Sequence, residues 1–430
     1  MLLCLDMTRD TSYNRLSTVL FLILTFLVLL TFMDYGMSWD EVRQDTYGEL
    51  VLRFYTSSFT DRRATGFEDV YYYGGFFELL SKLATSILPF GVYESRHFAS
   101  ALFGVLGVFG SWKITRLLSS PGSAFWAALL LTLYPSYYGH MFINSKDIPF
   151  AVLYVWALYY LLRLVLEFPH LSLKAAAQLG VACGLAMGVR VGGLILLCYL
   201  YLFIIVILAV WLLRRPDPPL SRWRVAGRTL LMLALTTLIA YTVMLAFWPY
   251  SQTKPLVKPF QALAWFTRDG SPSSTDYIPR HFVLKLPELY LGLIAVGLYL
   301  GVRALYTRGM SRDFQVTVSY SVIAFSVAFP LIYAILTTPR LYDEVRHFLF
   351  VVPPLCCLIG ITLNRTLEAA FKKSIAGALV SITLGAYLLL HVFLDDQAPP
   401  LRVQLLQPSR WRNIWCCTEG LCNRVLGYLL

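Results

Sequence analysis

Residues 16–49 read LSTVLFLILTFLVLLTFMDYGMSWDEVRQDTYGE, an apolar run followed at once by an acidic segment. The run Leu16–Met33 is long enough for an α-helix to cross the hydrocarbon core of a bilayer. The segment behind it places Asp40 and Glu41 side by side near that core, where water is scarce and charges interact strongly. Such a pair suits proton chemistry, although a solvated acidic loop has the same composition. The rest of the chain decides between the two interpretations.

The composition as a whole is that of a polytopic membrane protein. Of the 430 residues, 57% are hydrophobic and 14% are charged, whereas soluble domains carry about 25% charged residues. We assign the net charge of +11 to membrane topology and lipid headgroups, and we expect no nucleic-acid partner. No small-residue cleavage site follows the first run, so we interpret it as a retained signal anchor behind a short cytoplasmic segment, residues 1–15.

Continuous apolar runs of spanning length recur along the chain. Only helices or closed barrels satisfy the backbone in lipid, and these runs do not alternate as barrel strands do. We therefore predict an all-α fold with about eleven transmembrane helices. A further run, Phe76–Phe90, is interrupted by Glu78, Lys82 and Pro89, and we predict an amphipathic helix on the membrane surface there. The predicted spans are Leu16–Met33, Phe98–Leu118, Ser123–Tyr138, Ile148–Leu166, Ala175–Val189, Val191–Leu213, Thr229–Trp248, Leu286–Leu305, Val316–Leu336, Phe348–Leu363 and Ser374–Phe393.

Basic residues orient these spans. With the N-terminus in the cytoplasm, every cytoplasmic connection is basic and nearly free of acid, as the positive-inside rule requires. Unusual polar residues from five separate places in the chain then all lie on the opposite, outward face. They are Asp40, Glu41, Arg96, Lys146, Asp147, Arg190 and Arg346. Their convergence indicates a functional site.

Two short motifs join neighbouring spans on that face. In NSKDIP (Asn144–Pro149), Lys146 can hold a phosphate and Asp147 can orient a substrate hydroxyl, or both can simply begin a helix. In GVRVGG (Gly188–Gly193), glycines permit a tight turn and close helix approach. This turn places Arg190 at the outer membrane edge, where it either serves a site or reaches toward lipid headgroups.

Two further arginines and one long loop complete the outward face. Arg96 opens a span in SRHFASALFG (Ser95–Gly104), and Arg346 lies between spans in TPRLYDEVRHF (Thr338–Phe348). Guanidinium groups bind phosphate through two parallel hydrogen bonds, whereas interfacial anchoring or internal ion pairing would be structural explanations. The loop 249–285 mixes aromatic and basic side chains and suits an amphipathic segment over a site, or a lid.

The order of these features resembles the GT-C glycosyltransferases. It is most similar to their family 39 type, the protein O-mannosyltransferases and the bacterial aminoarabinose lipid A transferases. The resemblance implies a GT-C catalytic domain over residues 16–394, with catalytic acids in the first outward loop (34–97) and a later outward loop at 249–285. The motifs that carry it are SWDE (Ser38–Glu41), RHFASALFG (Arg96–Gly104), NSKDIP (Asn144–Pro149) and YDEVRHFLF (Tyr342–Phe350).

This resemblance implies a polyprenyl-phosphate sugar donor, a lipid, glycan or protein acceptor, and an inverting transfer on the periplasmic or lumenal face. Asp40 matches the first-loop acid, the expected general base, and Glu41 matches its neighbour. Asp147 resembles the second acid of the fold. Arg96 matches the arginine that opens the second span and steadies the loop or the donor phosphate. From charge and sidedness we add Lys146, Arg190 and Arg346 as candidate phosphate ligands.

The resemblance does not specify a metal cofactor, the membrane in which the protein lies, or the structure of the C-terminal tail. The sequence indicates no cysteine-rich metal site, and an acidic pair can bind a divalent cation or work alone. We expect the bacterial inner membrane with the site facing the periplasm, or the endoplasmic reticulum in a eukaryotic source. Where the family usually continues with ordered or spanning structure, residues 395–430 form an atypical tail without a spanning segment.

Two other classes of protein fit part of the pattern. A lipid-linked saccharide transporter or flippase also needs arginines near the membrane midplane, but not an Asp-Glu pair in its first loop. An O-antigen ligase or polymerase carries Arg and His in a late outward loop, and residues 249–285 contain both. The sequence has no P-loop, GxSxG or HExxH motif, so ATP-driven transport and hydrolase chemistry are not indicated. A scaffold would give no reason for charges to converge on one face.

Overall fold

The computed structural model describes residues 2–214, 222–268, 275–308, 314–339, 341 and 345–371. The regular elements of these residues are helices, and most connections between them are short. The α-helices are α1 Leu2–Thr31, α2 Glu41–Thr56, α3 Phe76–Ile87, α4 Val92–Leu118, α5 Pro121–Leu133, α6 Pro135–Ile143, α7 Asp147–Glu167, α8 Leu173–Met187, α9 Leu194–Arg214, α10 Arg222–Ala246, α11 Pro249–Thr253, α12 Lys258–Arg268, α13 Tyr277–Lys285, α14 Glu288–Arg308, α15 Phe314–Thr337 and α16 Val352–Phe371.

The predicted all-α class is confirmed by these elements. By length and composition, seven helical segments of the described chain can cross a membrane: Asp10–Thr31, Val92–Leu118, Asp147–Glu167, Val191–Leu213, Arg222–Ala246, Phe314–Thr337 and Arg346–Ala370. Two shorter apolar helices, α5 and α8, lie among them. The predicted count of eleven spans is not confirmed, and the run Ser374–Phe393 and the tail 395–430 lie outside the described residues.

One predicted span is two helices. The run Ser123–Tyr138 divides where α5 ends at Leu133 and α6 begins at Pro135, because proline has no N–H group with which to continue the helical ladder. Helix α6 then continues to Ile143 and delivers the chain to the Asn144 turn. Helix α7 follows that turn and is buried along most of its length, packed against α4 and α8.

The stretch between α1 and α4, which the sequence predicts to face outward and which we call the first outward segment, forms α2 and α3. These two helices pack on each other, and α3 also packs on α4. Helix α3 buries Glu78 and Ser81 while it exposes Leu80, Leu83 and Ile87. An outward apolar face on a helix with a buried polar side is typical of a segment lying in the membrane interface. The helix predicted within Phe76–Phe90 is therefore present, and its place on the membrane surface stays a prediction.

The late outward segment, helices α11, α12 and α13, packs on the first one through aromatic rings. Trp265 of α12 stacks on Tyr72 with ring centroids 4.6 Å apart and 16° between planes. Phe266 meets Tyr73 edge-on at 5.0 Å, a geometry that aromatic pairs favour. The indole of Trp248 donates a hydrogen bond to the Tyr71 carbonyl, 2.9 Å away. The two outward segments are thus in direct contact beside Tyr73.

Candidate functional site

A partial capping box positions the start of α2. Ser38 and Glu41 stand three residues apart, and the Ser38 N–H donates to Glu41 Oε2 at 2.6 Å, which is one half of that motif. The Ser38 hydroxyl donates instead to the carbonyl of Ile143, 3.2 Å away. This contact ties the turn to the end of α6. Asp40, the residue immediately before α2, is held at the corner between these contacts.

The Asn144 side chain organises the start of α7. Its Oδ1 accepts hydrogen bonds from the backbone N–H groups of Lys146, at 3.2 Å, and Asp147, at 2.9 Å. Its Nδ2 donates to Asp147 Oδ2 at 2.8 Å. Local bonds of this kind explain why Asn is favoured in turns. Asp147 is the first residue of α7, where the helix dipole also favours a carboxylate.

The turn after α8 presents Arg190 beside the first outward segment. Arg190 is in extended backbone, and the neighbouring Val189 carbonyl accepts a hydrogen bond from Gly74 N–H at 3.2 Å. A Cβ atom added to Gly74 would lie 1.9 Å from the carbonyl oxygen of Gly188. Only glycine permits this approach. As a result Tyr73, the residue before Gly74, lies next to Arg190.

Five charged side chains from these segments and from the start of the last described span form one group, which we call the cationic cluster: Asp40, Lys146, Asp147, Arg190 and Arg346. Asp40 Oδ2 contacts Nη2 of Arg346 and lies 3.4 Å from Lys146 Nζ. Asp147 Oδ1 contacts Nη2 of Arg190, and Asp147 Oδ2 lies 2.9 Å from Nε of Arg346. Three cations against two carboxylates leave one positive charge in excess, which suits an anionic ligand.

Tyr73 forms one wall of this cluster. Lys146 Nζ lies 4.8 Å from the centroid of the Tyr73 ring, and the guanidinium carbon of Arg190 lies 5.7 Å from it. Cations are attracted to an aromatic face at such distances. The Tyr73 carbonyl in turn accepts a hydrogen bond from the Tyr47 hydroxyl of α2 at 3.1 Å. The ring therefore holds two of the three cations on the same side of the site.

The two carboxylates of the cluster differ in access. The Asp147 side chain is 4% exposed, whereas that of Asp40 is 34% exposed. Burial by itself would raise the pKa of Asp40, but the charges and hydrogen bonds of Lys146 and Arg346 outweigh it and lower that pKa. Burial lowers the pKa of Lys146, although Asp40 opposes the effect. Asp40 is thus the accessible carboxylate, held ionised by the cations beside it.

A second group of charges links α2, α3 and α4, and we call it the bridging cluster: Asp45, Glu49, Glu78, Lys82 and Arg96. Arg96 Nη2 lies 2.5 Å from Glu78 Oε2, and Arg96 Nη1 lies 3.6 Å from Asp45 Oδ1. Lys82 Nζ lies 3.4 Å from Asp45 and 3.1 Å from Glu49. Arg53 Nε also lies 2.8 Å from Glu49 Oε1, so the three carboxylates of this group are balanced by Lys82, Arg96 and the neighbouring Arg53.

Gln44 connects the two clusters. With its amide nitrogen assigned toward α3, Gln44 donates to Glu78 Oε1 at 2.6 Å and accepts from Lys146 Nζ at 3.0 Å. The Ser145 hydroxyl donates to the same Glu78 oxygen at 2.7 Å. Gln44 is only 2% exposed. Lys146 is therefore held from one side by Gln44 and from the other by Asp40.

Of the seven predicted site residues, five form the cationic cluster. Arg96, 2% exposed, lies instead in the bridging cluster, where it ties α4 to the first outward segment. Glu41 is engaged by the Ser38 N–H and by His97, whose Nε2 lies 2.9 Å from Glu41 Oε1. The roles assigned to all seven residues remain proposals.

Sequence reasoning missed three residues of the site: Gln44, Tyr73 and Glu78. Glu78 left a signal, since it interrupts an apolar run and falls on the polar side of an amphipathic helix. Gln44 and Tyr73 left none, because their roles arise from segments distant in sequence. No group of three or more His, Cys, Asp or Glu side chains able to hold a metal occurs within the described ranges. The sequence predicts no metal ligand and leaves a divalent cation open, and the described residues test neither statement.

Comparison with known proteins bears on this geometry. The family model described as dolichyl-phosphate-mannose-protein mannosyltransferase matches residues 76–239. That stretch contains Arg96, Lys146, Asp147 and Arg190, but neither Asp40 nor Arg346. No curated protein matches the chain in sequence.

Two solved structures share the fold. The crystal structure of ArnT from Cupriavidus metallidurans bound to undecaprenyl phosphate matches with a TM-score of 0.58 and 17% identity, covering 90% of this chain and 67% of that one. The archaeal oligosaccharyltransferase AglB from Archaeoglobus fulgidus, in complex with an inhibitory peptide and a dolichol-phosphate, matches with a TM-score of 0.58 and 13% identity. That match covers 92% of this chain and 56% of AglB. The chain is thus similar to a protein mannosyltransferase family model over residues 76–239, and it shares its overall fold with these two structures.

Proposed function

We propose that the protein transfers a sugar from a polyprenyl-phosphate donor to an acceptor hydroxyl on the outward face of the membrane. The observation that carries this proposal is the cationic cluster, in which one accessible carboxylate lies against cations that exceed the carboxylates by one charge. A departing polyprenyl phosphate is an anion, and fixed cations stabilise its charge as it develops. The ArnT and AglB structures, which contain polyprenyl phosphates, support this class of donor.

Lys146, Arg190 and Arg346 bind the donor phosphate in this proposal. Asp147 is buried between Arg190 and Arg346 and holds both guanidinium groups through separate oxygens. Its role is to fix these two cations, since a buried carboxylate with two such partners has little freedom to react. The lipid chain of the donor extends into the apolar surroundings of the outward membrane edge.

Asp40 acts as the general base on the acceptor hydroxyl. In the resting site its negative charge is held by Lys146 and Arg346, which lower its pKa. A donor phosphate bound to the same two cations shares their charge, so the pKa of Asp40 rises toward its ordinary value and its basicity increases. Attack from the side opposite the phosphate then gives inversion at the sugar carbon. Donor binding thus precedes activation of the base.

The acceptor is a lipid, glycan or protein hydroxyl that reaches Asp40 from the outside. The outward face is the periplasmic side of a bacterial inner membrane, or the lumenal side of the endoplasmic reticulum in a eukaryotic source. The late outward segment, which contacts the first one beside Tyr73, serves as a cover over the bound sugar. Aromatic rings and backbone there exclude water that would otherwise compete with the acceptor.

The test is donor turnover by the purified protein in detergent. A panel of polyprenyl-phosphate sugars is supplied with candidate acceptors, and release of free polyprenyl phosphate is followed for wild type and for Asp40→Asn. We expect release with at least one donor, reduced about 10²- to 10⁴-fold in the variant because the base is lost. Asp61→Asn is the matched control, since Asp61 pairs with Arg63 in the exposed part of the same outward segment.

Comparable turnover in Asp40→Asn would remove Asp40 from the role of base. Absence of release with every donor, from folded wild-type protein, would favour a lipid-linked saccharide transporter. Release only with a donor that carries a long polysaccharide would favour the ligase or polymerase class.

A further inference from the structure

Glu41 and His97 form a buried pair next to the cationic cluster that the proposed chemistry does not use. The Glu41 side chain is 3% exposed and that of His97 is 1% exposed, with Glu41 Oε1 and His97 Nε2 2.9 Å apart. Neither ring nitrogen of His97 makes a hydrogen bond of standard geometry, so this is a close contact between two buried polar groups. The second carboxylate oxygen accepts the Ser38 N–H at 2.6 Å. Glu41 therefore uses both oxygens within the fold.

The turn that carries Asp40 is fixed at several points around this pair. The Tyr35 ring stacks on Phe142 with centroids 3.9 Å apart and 14° between planes, and it meets the His97 ring edge-on at 6.4 Å. The Ser38 hydroxyl donates to the Ile143 carbonyl. His97 belongs to α4 and Phe142 to α6. The turn is thus held against two helices, and the Glu41–His97 contact is its buried polar attachment.

The Asp40 side chain has a different kind of support. Its carboxylate is held by Lys146 and Arg346, the cations that the donor phosphate engages in the proposed function. Once the phosphate shares them, those contacts no longer fix the carboxylate as firmly. The position of the Asp40 carboxylate then depends on the backbone turn. That turn is fixed in part by Glu41, the residue after Asp40.

We propose that His97, acting through Glu41, is a positioning residue for Asp40 in the donor-bound state. The imidazole holds the Glu41 carboxylate, the carboxylate holds the Ser38 N–H, and Asp40 lies between those two residues in the chain. Glu41 is then also a positioning residue and not a second catalytic acid. The inference rests on the proposed function. It predicts that loss of His97 slows the chemical step and leaves donor binding intact.

The experiment compares His97→Leu with His97→Gln, which keeps an N–H donor. Turnover, the KM for the donor and the affinity for undecaprenyl phosphate are measured for each. We expect kcat to fall about 10- to 100-fold in His97→Leu, because a misplacement of about 1 Å can cost 10²-fold. KM and undecaprenyl phosphate affinity stay within about twofold of wild type, and His97→Gln recovers most of the lost kcat.

If His97 only supported the fold, its loss would lower donor affinity and turnover together. The variant His97→Gln would then not restore kcat separately from donor affinity. That result, or unchanged kcat in His97→Leu, overturns the inference. If His97→Leu does not fold, Glu41→Gln gives the same separation, since the isosteric amide weakens the contact with His97 without leaving a cavity. An inactive wild type counts against the proposed function, whereas an active wild type with a fully active His97→Leu counts against the positioning role alone.

Discussion

The cationic cluster and the bridging cluster both draw residues from the first outward segment. They differ in their charge balance and in how far their side chains are exposed to solvent. The first has one positive charge in excess and leaves Asp40 34% exposed. The second is balanced once Arg53, the further partner of Glu49, is counted, and it keeps Arg96 2% exposed. An accessible excess of cations suits an anionic ligand, whereas closed ion pairs fix the helices that contribute them. In the proposed function the same residue types thus bind a ligand in one place and support the fold in the other.

The largest expected effect falls on the bridging cluster. Arg96→Leu leaves Glu78 and Asp45 without their buried cation, and we expect it to lower the free energy of unfolding by about 3–5 kcal/mol. Thermal unfolding in detergent measures this loss. The control is Arg43→Leu, which breaks an exposed pair with Glu68 outside the cluster and should cost less than about 1 kcal/mol. The double variant Arg96→Leu/Glu78→Leu should recover part of the loss.

If Arg96→Leu keeps normal stability but binds the donor poorly, the two clusters do not differ in function as proposed. Arg96 would then be a phosphate ligand, the alternative that its place at the start of α4 also allows.

The next effect falls on the cationic cluster. Arg190→Leu removes one charged partner of the phosphate, and we expect donor affinity to fall about 10- to 100-fold, equivalent to about 1.5–3 kcal/mol. Asp147 keeps Arg346 and Asn144 as partners, so stability should fall less than in Arg96→Leu. Arg163→Leu, which breaks an Arg–Glu pair near the other end of α7, is the control. Unchanged affinity would make Arg190 a structural residue.

A smaller effect of opposite sign is expected at Asp40. In the resting site its carboxylate occupies cations that the donor phosphate needs, so Asp40→Asn should bind undecaprenyl phosphate more tightly. We expect a gain of about two- to tenfold, modest because the pair is partly exposed and screened by solvent. Titration of both proteins with undecaprenyl phosphate measures it. Weaker binding by the variant would mean that Asp40 helps to bind the lipid instead of competing with it.

The smallest effect is expected at the link between the clusters. Gln44→Leu removes an acceptor from Lys146 and a donor from Glu78. We expect a loss of about 1–2 kcal/mol in stability, since buried polar groups lose partners, and a donor KM raised about two- to fivefold. Gln261→Leu, an exposed position in the late outward segment, serves as control. A change in stability without a change in KM would show that the clusters act independently.

The sequence predicted those features that depend on local composition. Apolar runs marked the helices, and the alternation of basic connections placed the five members of the cationic cluster on one face before any contact was known. Proline at position 135 ended α5, but a continuous apolar run concealed the break. Hydropathy measures average burial and does not register a single missing backbone donor.

The sequence did not predict which charged residues form ion pairs with each other. Arg96 and Arg190 both looked like phosphate ligands, and the structure distinguishes them by their partners, Glu78 for one and Asp147 for the other. Those partners depend on the rotation of α3 and α4 about their axes and on the close approach at Gly74. Such details come from three-dimensional packing, which a one-dimensional charge pattern does not specify.

The contact between Asp40 and Arg346 joins residues 306 positions apart in the chain. During membrane insertion the early spans enter the bilayer first, while Arg346 is still unsynthesised. Asp147 and Arg190 can already pair at that stage, but Asp40 has only Lys146. The site is therefore electrically complete only after the span that begins at Arg346 has been inserted. A nascent chain stalled before that point holds two cations, Lys146 and Arg190, against two carboxylates, so the excess positive charge that suits an anionic ligand arrives only with Arg346.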